Sequence, residues 1–391
     1  MSFKAKKRKI YSDYKEKSNN LPAVKYLTNK TKRKNMKNII KTVIVMLTSI
    51  SLFGSANAGE LSVSGTAKAT YNVESGANKG KGLGITNELN FTASGELDNG
   101  YTWSYSMELD PGATAVGTTA DETQGAQNDD TQLTLTTPYG TVGMFVSEGG
   151  LDVEDAASQS VYSRPTDMGG SDGTVDNFTI DAYNNIQYHT AADLLPYGIT
   201  IKAAYAPDLD TYGSGNNAGV EQGEGAAGYA GRSATELQVK ANPIDGLNIG
   251  ASYFEFDMQG GSKRDQDAES GAWFATYAIG NVTLGYSQAA KALLVSDRVG
   301  NSETVEHYEQ DNMSIAYAIN DDLSVSYEKE TSEAHYLADT ADVEQKSTGI
   351  QLAYNMGGMT VAIARNSHDN PSYSTTAADL DQTLLAVTMA F

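Results

Sequence analysis

Cysteine is absent from the 391 residues, so neither disulfides nor thiol chemistry is available. No run of 18 apolar residues follows Ala58, which excludes a transmembrane helix in that part of the chain. There is no Gly-x-Ser-x-Gly, no phosphate-cradling glycine loop and no metal-ligand spacing. The histidines (189, 307, 335, 368) are scattered, and no neighbouring segment supplies the Ser–His pair with a third orienting group that a hydrolase needs. The expectation is therefore no enzyme, no cofactor and no dedicated metal site. Basic residues are scarce where they would matter. Residues 1–58 hold 14 of the 28 Lys/Arg and only 2 of the 49 Asp/Glu, leaving 14 basic against 47 acidic residues and a net charge near −33. Such a chain does not bind nucleic acid, whose phosphates need a basic surface.

What is present falls into three parts. Residues 1–35 are polar and basic and read as a mis-annotated or disordered extension, with translation expected to start at Met36. Residues 36–58 have a basic start at Lys37 and Lys41, an apolar run from Thr42 to Phe53, and Ala56-Asn57-Ala58. That is the layout of a secretory signal with a small-x-small cleavage site at Ala56 and Ala58. Residues 59–391 form the mature chain. An exported chain without disulfides or transmembrane helices can still enter a membrane as a closed barrel, which leaves no backbone group unpaired in lipid.

From Glu60 onward, side chains alternate at the two-residue period of a strand. Leu61, Val63, Ala67, Ala69, Tyr71 and Val73 share one face, and Ser62, Ser64, Thr66, Lys68, Thr70 and Asn72 the other. Asp98-Asn99-Gly100 is a hairpin signal between the second and third strands. The pattern continues through strands near 130–137, 141–146, 184–190, 198–206, 233–241, 247–256, 270–279, 282–287, 311–319, 323–329, 346–354, 359–365 and 380–391, sixteen in all. Every even strand is followed by a short turn and every odd strand by a longer polar loop: 74–83, 110–129, 147–183, 207–232, 257–269, 288–310, 330–345 and 366–379. Short turns at one end and long loops at the other are the layout of an outer-membrane barrel. Tyrosine outnumbers phenylalanine 23 to 9. Tyr71, Tyr205, Tyr253, Tyr286 and Tyr327 fall where strands would meet one interface, and Tyr188, Tyr277, Tyr317 and Tyr354 where they would meet the other, as in an aromatic girdle.

The chain stops on an alternating strand whose last residue is Phe391. That ending resembles the signal by which the bacterial outer-membrane assembly machinery reads its clients. With sixteen strands and a long third loop, residues 59–391 resemble a Gram-negative general diffusion porin of the alphaproteobacterial type. The resemblance implies an all-β, 16-stranded antiparallel transmembrane barrel with the third loop, 147–183, folded into the lumen as the pore constriction. It also implies an outer-membrane location, contact with bilayer and lipopolysaccharide, a homotrimer, and passive diffusion of ions and small hydrophilic solutes.

The loop carries Glu148, Asp152, Glu154, Asp155, Asp167, Asp172, Asp176 and Asp181 against a single Arg164. On inward parity the barrel wall offers Glu88, Glu96 and Glu108, with Lys68, Lys202, Lys240 and His189 as the basic candidates. The Arg cluster that the family sets against the loop acids is missing, as is its Pro-Glu-Phe-Gly-Gly loop motif. Carboxylates around a narrow aqueous passage favour cations, so the expectation is a cation-preferring channel. A solvated external fringe without effect on permeation is the alternative for these acids. Asp129-Asp130, Asp208/Asp210 and Asp321-Asp322 could hold Ca²⁺ through oxygen ligands, but none has EF-hand spacing. Two other functions stay open: a substrate-selective porin with a binding track, and a non-channel surface barrel or adhesin.

Overall fold

The computed structural model describes residues 60–76, 80–110, 127–167, 176–207, 233–257, 265–295, 305–337 and 342–391. The expected leader, with the cleavage site expected at Ala56 and Ala58, lies outside the described residues, as do Asp172, Asp208 and Asp210.

Sixteen strands follow in order: β1 Glu60–Gly76, β2 Gly80–Glu96, β3 Thr102–Asp110, β4 Gln127–Thr137, β5 Gly140–Val146, β6 Asn185–Thr190, β7 Thr200–Ala206 and β8 Ser233–Ile244. The second half holds β9 Leu247–Asp257, β10 Glu269–Ile279, β11 Val282–Ala292, β12 Val305–Ala318, β13 Leu323–Tyr336, β14 Val343–Asn355, β15 Met359–Asp369 and β16 Leu380–Ala390. Each strand pairs antiparallel with its sequence neighbours, and β1 pairs with β16, so the sheet closes on itself. Closure leaves no strand edge exposed. Phe391 extends it by one step: its N–H donates to the Gly65 carbonyl at 3.0 Å, and Gly65 N–H donates to the Phe391 carbonyl at 2.9 Å.

Burial runs opposite to that of a soluble protein. Outward positions are large, apolar and exposed, among them Leu133, Met144, Leu237, Ile249, Leu284, Ile315, Ile350 and Leu385. Inward positions are polar and buried, among them Gln187, Glu236, Gln238, Ser287, Asn312, Glu328, Glu330, Gln351 and Gln382. An apolar exterior against lipid and a polar interior satisfy both faces. Tyr253, Tyr277, Tyr317, Tyr327 and Tyr354 stand outward and exposed, as the girdle requires.

Several strand boundaries differ from those expected. The loop expected at 74–83 is mostly strand, because β1 runs to Gly76 and β2 starts at Gly80. β11 continues to Ala292, β12 begins at Val305 and β13 continues to Tyr336, well into expected loops. In those extensions the outward residues are small or polar, among them Gln288, Ala290, His307, Glu309, Thr331, Glu333 and His335. Apolar alternation stops there because the outer face has left the apolar band, while the backbone ladder goes on.

Candidate functional site

Residues 147–184 leave β5 and return at β6, with single 3-10 turns at Glu154–Ala157 and Ile180–Ala182. Their contacts fall, strand after strand, on inward side chains. Gln187 on β6 donates to Gly149 O, and Gln238 on β8 donates to Leu151 O at 2.7 Å. Val153 N–H donates to Ser252 on β9 at 3.1 Å; Ser287 on β11 donates to Glu154 O at 2.7 Å. Ser314 on β12 donates to Ala157 O at 2.6 Å. Farther on, Ser158 bonds Glu328, Val161 N–H bonds Ser326, and Tyr162 N–H bonds Gln351 on β14 at 2.9 Å. The returning arm bonds Ser270 on β10 through Phe178 N–H (3.1 Å) and Glu236 on β8 through Ile180 N–H (2.9 Å).

Apolar contacts fix the same course. Leu151, Ile180 and Tyr183 bury against Ala204, Ala206, Phe254 and Phe256. Val153 and Ala157 bury against Ala272, Phe274 and Ala289, and Tyr162 packs on Ala364, Leu384 and Ala386. Gly285 permits the closest approach, since a Cβ there would lie 1.8 Å from the Ala157 carbonyl oxygen. The loop thus covers the inward face from β6 to β16.

The electrostatics of the loop divide its charges into two groups. Arg164 is 5% exposed; its Nε donates to Glu330 at 2.9 Å, and its guanidinium also meets Asp155 and, at 3.9 Å, Asp167. Burial alone would lower the Arg164 pKa, but Glu330, Asp167 and Glu154 outweigh it and the guanidinium stays charged. Glu330 has no exposure; it also accepts from Thr166 Oγ1 at 2.7 Å and from Thr166 N–H at 3.2 Å. Glu154 is buried, and its two oxygens share the bifurcated bonds of the Asn177 N–H, at 2.9 and 3.0 Å. Burial, reinforced by Asp152, pushes its carboxyl up to about 8 despite those bonds. Asp152 and Asp181 are raised as well, by burial first. Asp155 and Asp167 remain about half exposed.

A model of the Gram-negative porin family matches residues 43–387. The chain belongs to that family. Solved structures agree in fold. OmpF of Salmonella typhi aligns with a TM-score of 0.60 at 14% identity, covering 86% of this chain and all of the other. A trimer form of OmpT of Vibrio cholerae gives 0.57 at 15%, with 86% and 100% covered. The outer membrane channel DcaP of Acinetobacter baumannii gives 0.56 at 10%, with 87% and 99% covered. Curated protein sequences yield no match. This porin is therefore an outer-membrane channel for diffusion.

The porin's expected site residues separate on this geometry. Glu148, Asp152, Asp155, Asp167 and Asp176 sit on the loop with some exposure, whereas Glu154 and Arg164 are buried against the wall and act as anchors. Glu88 and Glu96 are exposed on the wall and Glu108 is half-buried there. Lys68 lies 5.8 Å from the Tyr162 ring, and Lys240 5.8 Å from that of Phe274. His189 bonds Gln187 at 2.7 Å and faces Lys202 across the ladder. Reading by residue type missed Glu236, Glu328, Glu330, Gln351 and Lys291, the last of which reaches Asp176 O and the Phe178 ring. Their signal was inward parity, carried past the expected strand ends in Glu330 and Lys291. Of the acid pairs considered for Ca²⁺, Asp321 and Asp322 are exposed in the β12–β13 turn, outside any group of three ligating side chains found among the described residues.

Proposed function

We propose that the porin passes ions and small hydrophilic solutes through a constriction framed by residues 147–183 and the facing wall of β1–β4, with a preference for cations. The observation that carries this reading is the fate of Arg164. The one cation of the described loop is buried against Glu330, while Asp155 and Asp167 keep about half of their surface open. Glu88 and Glu96, exposed on the opposite wall, add charge of the same sign. Fixed carboxylates around a narrow aqueous path lower the energy of cations and raise that of anions. Lys68, Lys202 and Lys240 temper the preference, so it is moderate.

A homotrimer is the assembly we infer, because OmpT forms one and an open groove of about 470 Å³ runs over the outer face between Tyr71, Leu83, Ile85, Leu385 and Val387. Lipid, lipopolysaccharide and the assembly machinery that reads Phe391 are the remaining partners. Residues 36–58 are cleaved, and no cofactor takes part.

Single-channel recording of the mature protein in a planar bilayer under a salt gradient tests the reading. The expected result is steady conductance with a reversal potential on the cation side. Replacing Asp152, Asp155 and Asp167 with Asn together should lower the cation-to-anion permeability ratio several-fold. A reversal potential on the anion side, or a ratio unmoved by the triple substitution, would remove these carboxylates from the selectivity mechanism. Silence from a heat-modifiable, folded barrel would favour a surface-binding role.

A further inference from the structure

Above the apolar band, the outer faces of β12 and β13 bring together a set of ligating side chains that conduction does not use. His307-x-Glu309 on β12 runs antiparallel to Glu333-x-His335 on β13. The register sets His307 opposite His335 and Glu309 opposite Glu333. Residues two apart on a strand share a face, so all four side chains stand on the outward side. The imidazole rings stack with centroids 4.4 Å apart and planes 12° from parallel. His307 Nε2 is 3.6 Å from Glu309 Oε1, and His335 Nε2 is 3.9 Å from Glu309 Oε2 and 3.6 Å from Glu333 Oε2. Ligand atoms of His307, Glu309 and His335 all lie within 4.8 Å of one another.

Two further observations set this cluster apart from an ordinary acidic rim. The Nε2 atom of His335 is closed off from water and has no hydrogen-bond partner. Its other nitrogen, Nδ1, faces Asp342 Oδ2 at 3.5 Å, and Asp342 is itself fixed by accepting Tyr336 N–H at 3.0 Å. A carboxylate behind Nδ1 can hold the proton on that atom and free Nε2 for an ion, the usual arrangement behind a metal-bound imidazole. The charge balance also calls for a cation. Glu309, Glu333 and Glu344 stand in one cross-strand row, and like charges directly opposite each other are destabilising. Lys346 does not relieve them, being bonded to Asp369 at 2.9 Å.

We propose that His307, His335 and Glu309 form a binding site for a divalent transition-metal ion on the outer rim of the barrel, with Glu333 beside it and Asp342 orienting His335. Imidazole with carboxylate suits zinc and its neighbours over the hard ions calcium and magnesium. Three protein ligands leave a coordination position open to water. Closing about the ion needs a splay of the two rings, within reach of the broad imidazole torsion. A bound ion would clamp β12 to β13 near the ends of the loops that follow β11 and β13.

The test is isothermal titration of ZnCl₂ into the mature, tag-free protein folded in detergent, beside His307→Ala, His335→Ala and Glu309→Gln. Each variant is first checked for heat-modifiable migration, with His335→Asn replacing His335→Ala if the latter misfolds. The expected result is one saturable site that millimolar CaCl₂ does not displace, at least tenfold weaker in each variant. Equal zinc affinity in the parent and both histidine variants would overturn the proposal. Stoichiometric displacement of zinc by calcium would also overturn it, since the binding would then belong to carboxylates alone.

Discussion

At Gly285 a single hydrogen occupies the place where any other residue would put a carbon 1.8 Å from the Ala157 carbonyl oxygen. The obstacle is backbone, so the loop must lift if the side chain grows. Gly285→Val should detach the 154–157 turn from β11, raise single-channel conductance and expose residues 147–183 to protease. Gly82→Ala, with open space around the added methyl, should do neither. Arg164 gives a second residue-scale prediction. Taking away one partner of a buried pair strands the other charge, at a cost of about 3–5 kcal/mol. Arg164→Met should therefore lower unfolding stability by roughly that amount, while Arg164→Met with Glu330→Gln should recover most of it in a urea titration. Neither role was legible from residue type alone. Arg164 reads as a pore charge until its partner is known, and Glu330 falls one residue beyond the expected end of its strand.

Loop 147–184 behaves as an element because its anchors act together, and its titration should be collective. The Glu154 carboxyl is pushed from about 4.5 to about 8 in the docked loop. A detached loop would release that proton near the ordinary value. Between those two pH values the docked state holds more protons, so docking loses stability as pH rises through the window and levels off above about 8. Asp152 and Asp181, raised in the same direction, add to the trend. Protease cleavage within the loop, with the barrel otherwise intact, should thus become faster from pH 5 to pH 8.5. Glu154→Gln, which keeps no charge to expel, should flatten the profile, and an unchanged slope would show that Glu154 does not govern docking. At this scale the sequence was informative about existence and poor about ends. All sixteen strands show in the alternation, yet β11–β13 outrun their apolar pattern because the outer face above Tyr286, Met313 and Tyr327 is polar.

For the whole barrel, the two-residue period sorts every substitution by the solvent it meets. Closure pairs each backbone group across the ring from β1 to β16, so neither face is needed to complete the sheet. The outer face is free to be apolar and the inner one to be polar, and this division was legible from Leu61 and Ser62 onward. Beneath the loop the rule inverts: Phe254, Phe256 and Phe274 point inward because a loop, rather than water, covers them. An arginine placed on each face exposes the difference. Leu284 is outward and 45% exposed, opposite Tyr277 and Ile315. Leu284→Arg should cost about 2–4 kcal/mol in folding into liposomes, the penalty for a charge on the lipid face near mid-depth. Asn90 is inward on β2, opposite Ser64 and Glu108, and only half-buried. Asn90→Arg should leave stability within about 0.5 kcal/mol, as for other solvated sites, while shifting the reversal potential toward anions. If instead Asn90→Arg destabilised the barrel and Leu284→Arg did not, the assignment of faces would be reversed, and with it the position of the water-filled path.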